Sequence, residues 1–218
     1  MMKRWLSWGA KRKPISESRW VVIDVETTGL DPSHDDLLCI AGVAMRRDAA
    51  GWTLDHGDHF QVVLKQAVHR ASETNVLLHG IGWGAQQQGR PRAEALGAFQ
   101  SWVGDALLVA FHADFDRAFI ERAHRLEQIA PPEWTWMDLA DVLPGTFLTQ
   151  PQRSLDDWMS QLGVQCVKRH QAVADVWATA QLFLMAASHR PGARDWRVSD
   201  WIHAADQGRW LRRMQSAR

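Results

Sequence analysis

Asp24 and Glu26 stand two residues apart at the end of an apolar, β-branched run, residues 19–25 (RWVVIDV). Strand side chains alternate between faces, so both carboxylates point the same way and form a two-armed oxygen donor suited to a hard divalent cation. Such a pair alone is an ordinary solvated strand end. Here the strand breaks at once into Thr27-Thr28-Gly29-Leu30, a turn whose N–H groups can hold a nucleotide end beside a metal.

A second acidic position follows the apolar run from Ala106 to Phe111, where His112-Ala113-Asp114-Phe115-Asp116 leads into a helix. Asp114 falls at the expected cap, the usual structural role of an aspartate. Asp116 lies half a turn inside, between Phe115 and Ala118, and is harder to explain structurally, although a helix dipole also favours a first-turn acid. The third cluster is His170 with Asp175. Five residues turn an ideal helix through about 140°, so the two groups share one site only if His170 precedes the helix and Asp175 lies in its first turns. Otherwise His170 is a loop histidine and Asp175 an acid at a helix start.

The elements that must carry these groups follow from periodicity. Residues 36–46 and 52–64 flank Asp48-Ala49-Ala50-Gly51, which predicts a three-stranded antiparallel meander with the first strand. Behind Pro91, the residues Ala95, Leu96, Phe99, Trp102 and Val103 recur at helical spacing. A short buried strand at 106–111 precedes a helix over 114–129 that buries Phe115, Phe119, Ala123 and Leu126 and ends before Pro131-Pro132. Further helices are predicted around 139–143, over 155–162 behind a Ser154 cap, and over 172–187. Strands at the front with alternating strand and helix behind predict an α/β fold, a mixed sheet flanked by helices.

Composition supports one globular unit. The 218 residues are 46% apolar and 23% charged, with 25 basic side chains against 25 acidic ones, which excludes a disordered tail and a uniformly basic nucleic-acid binder. No apolar stretch is long enough to span a bilayer and the first residues lack a secretory apolar run, so a cytoplasmic protein without membrane association is expected. Cys39 and Cys166 read as reduced thiols. Basic residues collect at both ends, Lys3 to Arg19 and Arg194 to Arg218, around an acidic middle. That distribution fits a carboxylate-rich metal site whose polyanionic partner is gripped at the margins, or terminal charges that simply keep the ends solvated.

Taken in order, Asp24-x-Glu26 within VIDVETTGL, Asp116 within AFHADFDRAFI and His170-x4-Asp175 within RHQAVADVWATAQLF make the chain resemble the DEDD superfamily of 3′-to-5′ exonucleases. The resemblance is to its histidine-containing subgroup, which includes the proofreading epsilon subunit of bacterial DNA polymerase III. It covers about residues 19–187, and the sister subgroup's tyrosine base is excluded because the chain has no tyrosine. It implies a ribonuclease-H-like fold with an exonuclease domain at 19–190; outside the resemblance, Pro14 and Pro191-Gly192 read as boundaries that set off a basic arm at 1–18 and a basic appendage at 191–218.

By the same resemblance, Asp24, Glu26, Asp116 and Asp175 would hold two Mg²⁺ or Mn²⁺ ions about 3.5 to 4 Å apart, and His170 would take the proton from the attacking water. Without cations, the clustered carboxylates would raise one another's pKa values. Thr27 and Thr28 would meet the 3′ end, Leu30 would pack on the terminal base, and His79 would line the nucleotide pocket. The implied partners are single-stranded DNA or RNA 3′ ends, with a DNA polymerase as a further one, and the implied setting is DNA repair. His112 and Phe111 depart from the Asn and His common in the family, which touches substrate contacts and not the ligands. Gln181 to Leu184 loosely resembles a sliding-clamp peptide but lies at core spacing in a helix.

Overall fold

The computed structural model describes residues 15–68, 71–149, 154–166 and 168–216; the basic residues 3–13 and the boundary expected at Pro14 lie outside the described residues. At its centre runs β1 (Arg19–Thr27), where Trp20 to Ile23 are buried on both faces. β2 (Leu37–Asp48) and β3 (Gly51–Val63) complete the expected antiparallel meander. Their turn is closed by the Asp48 carboxylate, which accepts from the N–H groups of Ala50 at 2.7 Å and Gly51 at 3.2 Å, while Gly51 takes φ 123°, a value open to glycine.

The chain continues through α1 (Glu73–His79), α2 (Trp83–Gln88), α3 (Arg92–Val103), β4 (Leu107–Ala110), α4 (Ala113–Leu126), β5 (Trp136–Asp138) and α5 (Leu139–Phe147). It closes with α6 (Leu155–Leu162), α7 (Ala172–His189), a short 3-10 turn and α8 (Val198–Ser216). The sheet order is β3-β2-β1-β4-β5, with β1 antiparallel to β2 and parallel to β4, and β5 parallel to β4. This is a ribonuclease-H-like α/β fold with a mixed sheet between helical layers.

Alternation along β1 sorts its side chains. Val21, Ile23 and Val25 pack with Phe99 of α3 and Phe119 of α4. Trp20 and Val22 face the other layer, with Val142 of α5, Phe183 of α7 and Trp201 of α8. Asp24 and Glu26 continue this second face toward α7.

Three expectations change. α4 ends at Leu126, which is 49% exposed, because the buried stripe runs Asp116, Phe119, Ile120, Ala123, His124 and leaves Leu126 outside. The residue capping α4 is His112, in the left-handed region at φ 64°, so Asp114 lies exposed in the first turn. Most of the segment read as an appendage forms α8, with Trp201, Ala204 and Ala205 buried. No helix among the described residues is long and apolar enough to cross a membrane.

Candidate active site

β4 pairs with β1 only from Trp20 to Val22, so the end of β1 runs on past its parallel neighbour. Two helix N-termini complete that end. The Val25 N–H favours the charged form of the Asp116 carboxylate in the first turn of α4, and the Ala172 N–H at the start of α7 does the same for Glu26. Each acid sits where a helix start favours negative charge.

α4 is itself positioned through Asp138. Its Oδ1 accepts from the N–H of His112 and of Ala140, both at 3.0 Å, so one buried carboxylate caps α5 and fixes the strained residue before α4. In α7, Asp175 lies in the first turn, 6% exposed, and its Oδ2 accepts from the His170 N–H at 3.2 Å. His170 precedes the helix, exposed, at φ 59°. The condition that the five-residue spacing demanded is therefore met.

Asp24, Glu26, Asp175 and His170 line one cleft of about 340 Å³, together with Thr27, Leu30 and His79. Asp116 does not line the cleft; it is buried at 3% exposure, close enough to Asp24 for its charge to act there. Thr28 is the site residue that stands apart: its hydroxyl donates to Asp35 at 3.2 Å and accepts from the Asp36 N–H at 2.9 Å, so its side chain ties the turn internally. Thr27 Oγ1 donates to the Gly29 carbonyl at 2.6 Å. Leu30 stands 84% exposed at the mouth. His79 is buried, its Nδ1 accepting from the Ile81 N–H at 3.0 Å, while Nε2 is buried without a hydrogen-bond partner among the described residues.

Three groups went unread. Asn75 and Phe115 line the cleft; the first belongs to a helix with no periodic signal, and the second was assigned to the core side of α4. Arg169 ion-pairs with Asp175 and with Asp156 of α6, and its only sequence signal is its position beside His170.

Burial and mutual repulsion set the electrostatics of the cleft. Burial, then the charges of Asp116, Glu26 and Asp175, push the Asp24 carboxyl well above its usual range. Burial and Asp175 push Glu26 up to about 8, partly offset by the Ala172 N–H and Arg169. Asp116 is raised by burial, with Asp138 and Glu26 adding to it. Glu26 Oε1 and Asp116 Oδ1 are buried without hydrogen-bond partners among the described residues. As they stand, no three His, Cys, Asp or Glu side chains among the described residues are arranged to hold a metal ion, and Asp175 is engaged by Arg169. The donor chemistry nevertheless fits a divalent cation: crowded carboxylates, two with bare buried oxygens, gain most from added positive charge.

The model of the exonuclease family RNase_T matches residues 21–183. DNA polymerase III PolC-type of Staphylococcus epidermidis is 28% identical over 170 residues, which cover 78% of this chain and 11% of the polymerase, and that of Staphylococcus aureus gives the same figures. The chain thus spans about a tenth of the length of these relatives. Among solved structures, Escherichia coli exonuclease I with a dA16 oligonucleotide superposes with TM-score 0.68 at 18% identity, over 82% of this chain and 42% of that one. The zinc-ion-bound form of an exonuclease I–single-stranded DNA complex gives 0.71 at 19%, over 83% and 42%. The family match takes in Asp24, Glu26, Asp116, His170 and Asp175, and by it the chain belongs to the RNase_T exonuclease family, of the DEDD-type 3′-to-5′ exonuclease superfamily.

Proposed function

We propose that this protein removes nucleotides one at a time from single-stranded or frayed 3′ ends, DNA preferred, releasing nucleoside 5′-monophosphates with the help of two Mg²⁺ or Mn²⁺ ions. The observation that carries this reading is the meeting of Asp24, Glu26, Asp175 and His170 in one cleft, with Asp116 buried within electrostatic reach of Asp24. The two buried carboxylate oxygens without partners add to it. The four carboxylates would hold the ions. Bound there, divalent cations acidify water and offset charge on a leaving 3′ oxygen.

The remaining work belongs to the chain. His170, exposed at the cleft, is free to approach an attacking water and take its proton. The Thr27–Gly29 turn presents backbone to the 3′ hydroxyl, Leu30 offers an apolar surface to the terminal base, and Phe115 and His79 enclose it. A polymerase-associated proofreading role is the second reading, favoured by the PolC-type relatives, whose printed name is that of a polymerase.

End-labelled DNA and RNA strands incubated with Mg²⁺, Mn²⁺ or chelator test the proposal. Labelled 5′-monophosphates should accumulate with either metal and vanish with chelator, and Asp24→Ala should lower release by several orders of magnitude. Full activity in excess chelator sinks the mechanism. Activity that appears only when a polymerase is added selects the second reading.

A further inference from the structure

His170 holds a backbone conformation, φ 59°, that crowds any residue with a Cβ, and such a residue persists where its neighbours hold it in place. The neighbours here are few. Its own N–H donates to Asp175 Oδ2 at 3.2 Å. The residue before it, Arg169, reaches in two directions, pairing with Asp175 on α7 and with Asp156 in the first turn of α6. Arg169 is also the cation whose charge moderates the raised pKa values of both Asp24 and Glu26.

From this bridge we infer that Arg169 is the positioning residue of the site: its guanidinium spans α6 and α7 and thereby holds His170 over the carboxylates. The inference rests on the proposed exonuclease reading for its kinetic consequence, but not for the tether itself. Arginine suits the task because its planar fork carries several N–H donors in fixed directions and can serve two carboxylates at once. A lysine keeps the charge but reaches as a single point. The two anchors are unequal. Asp175 is nearly enclosed and Asp156 is mostly exposed, so the inner pair is screened less by solvent than the outer one.

The test combines kinetics with amide hydrogen exchange over residues 168–171 in wild type, Arg169→Met, Arg169→Lys and Asp156→Asn. Arg169→Met should speed exchange there and leave the sheet unchanged. It should lower kcat by about 10- to 100-fold through misplacement of His170, with KM for oligonucleotides little altered. Asp156→Asn, which leaves the inner pair intact, should show the same pattern at about 2- to 5-fold. Arg169→Met added to His170→Ala should cost nothing further, because both changes remove one function.

Four results would overturn the inference: unchanged exchange, a full multiplicative loss in the double variant, complete recovery with lysine, or a rise in KM at constant kcat. The last would make Arg169 a phosphate contact. Should wild type release no nucleotide from any 3′ end, the functional reading falls, and the exchange comparison alone decides the tether.

Discussion

Glu26 is an acid that prefers its proton in the folded protein, with a pKa near 8 against an ordinary 4.5. The folded state therefore binds this proton more tightly than the unfolded chain does, and the resulting stabilisation is complete below about pH 4.5 and lost as pH rises through about 8. In chelator, the melting temperature should fall between pH 5 and 8, each kcal/mol appearing as about 2–4 °C. The difference between wild type and Glu26→Gln reads Glu26 together with its coupling to Asp24 and Asp116, while His79 and His124, whose pKa values burial lowers, titrate in both. Added Mn²⁺ should flatten the wild-type slope. Equal slopes for the two proteins in chelator would refute the assignment. Much at this scale was legible: alternation along a strand puts Asp24 and Glu26 on one face whatever follows, and helix geometry states the condition, His170 ahead of the helix, under which His170 and Asp175 share a site. Arg169 was not, because a basic residue within Lys168-Arg169-His170 looks like any solvated charge until the fold brings Asp156 beside it. Thr28 read as a substrate contact, yet it spends its hydroxyl on Asp35 and Asp36 within the turn.

Elements matter here through their ends. β1 carries two acids past the end of β4, and the starts of α4 and α7 close around them, so the position of α4 depends on what holds its cap. Asp138 Oδ1 does so by accepting from His112 as well as from Ala140. Asp138→Ala should destabilise the protein by about 1–3 kcal/mol in denaturant unfolding, through a lost cap and an unsatisfied buried N–H. It should also lower kcat, since Asp116 travels with α4. Asp138→Asn keeps the accepting oxygen and should retain most of both, and equal losses for the two variants would contradict this account. The long elements were predictable from their periods: β1 to β3, α3, α4 and α7 all appear within a few residues of where spacing puts them. Apart from α8, the elements missed are short. β5 has three residues, and α1 and α2 have seven and six, too few to show a period before a cap ends them. α1 is specified by its ends, with Ser72 Oγ accepting from the Asn75 N–H and Gly80 in the left-handed region at φ 75°.

Across the whole molecule, the C-terminal helix is bound to the core, which bears on the charges expected at the margins. Trp201 is fully buried and meets Trp20 edge-on at 6.2 Å and Phe183 at 5.0 Å. Arg209 and Arg212 pair with Asp141 of α5, so these two cations hold the helix to the body. Sequence spacing could not show which residues of this helix would meet a partner, because the partner, Asp141 of α5, lies about seventy residues earlier.

The contact between α8 and α5 closes at Gly208, where an added Cβ would stand 1.9 Å from the Asp141 carbonyl oxygen. Backbone on the facing side cannot rotate away as a side chain can. Two effects of opposite sign then meet in Gly208→Ala: helix propensity favours alanine by about 1 kcal/mol, and overpacking costs about 1–3 kcal/mol or more. Against backbone at this distance overpacking should win, lowering the melting temperature by several degrees. Gly97→Ala in α3, where an added Cβ meets nothing within 4 Å, leaves propensity unopposed and should raise the melting temperature slightly. Well below the melting point, the rate of Gly208→Ala should match wild type, because β1, α4 and α7 hold the cleft. If both glycine variants stabilise the protein, α8 does not dock on α5 at this contact, and the basic C-terminal segment regains its freedom to meet a nucleic-acid strand.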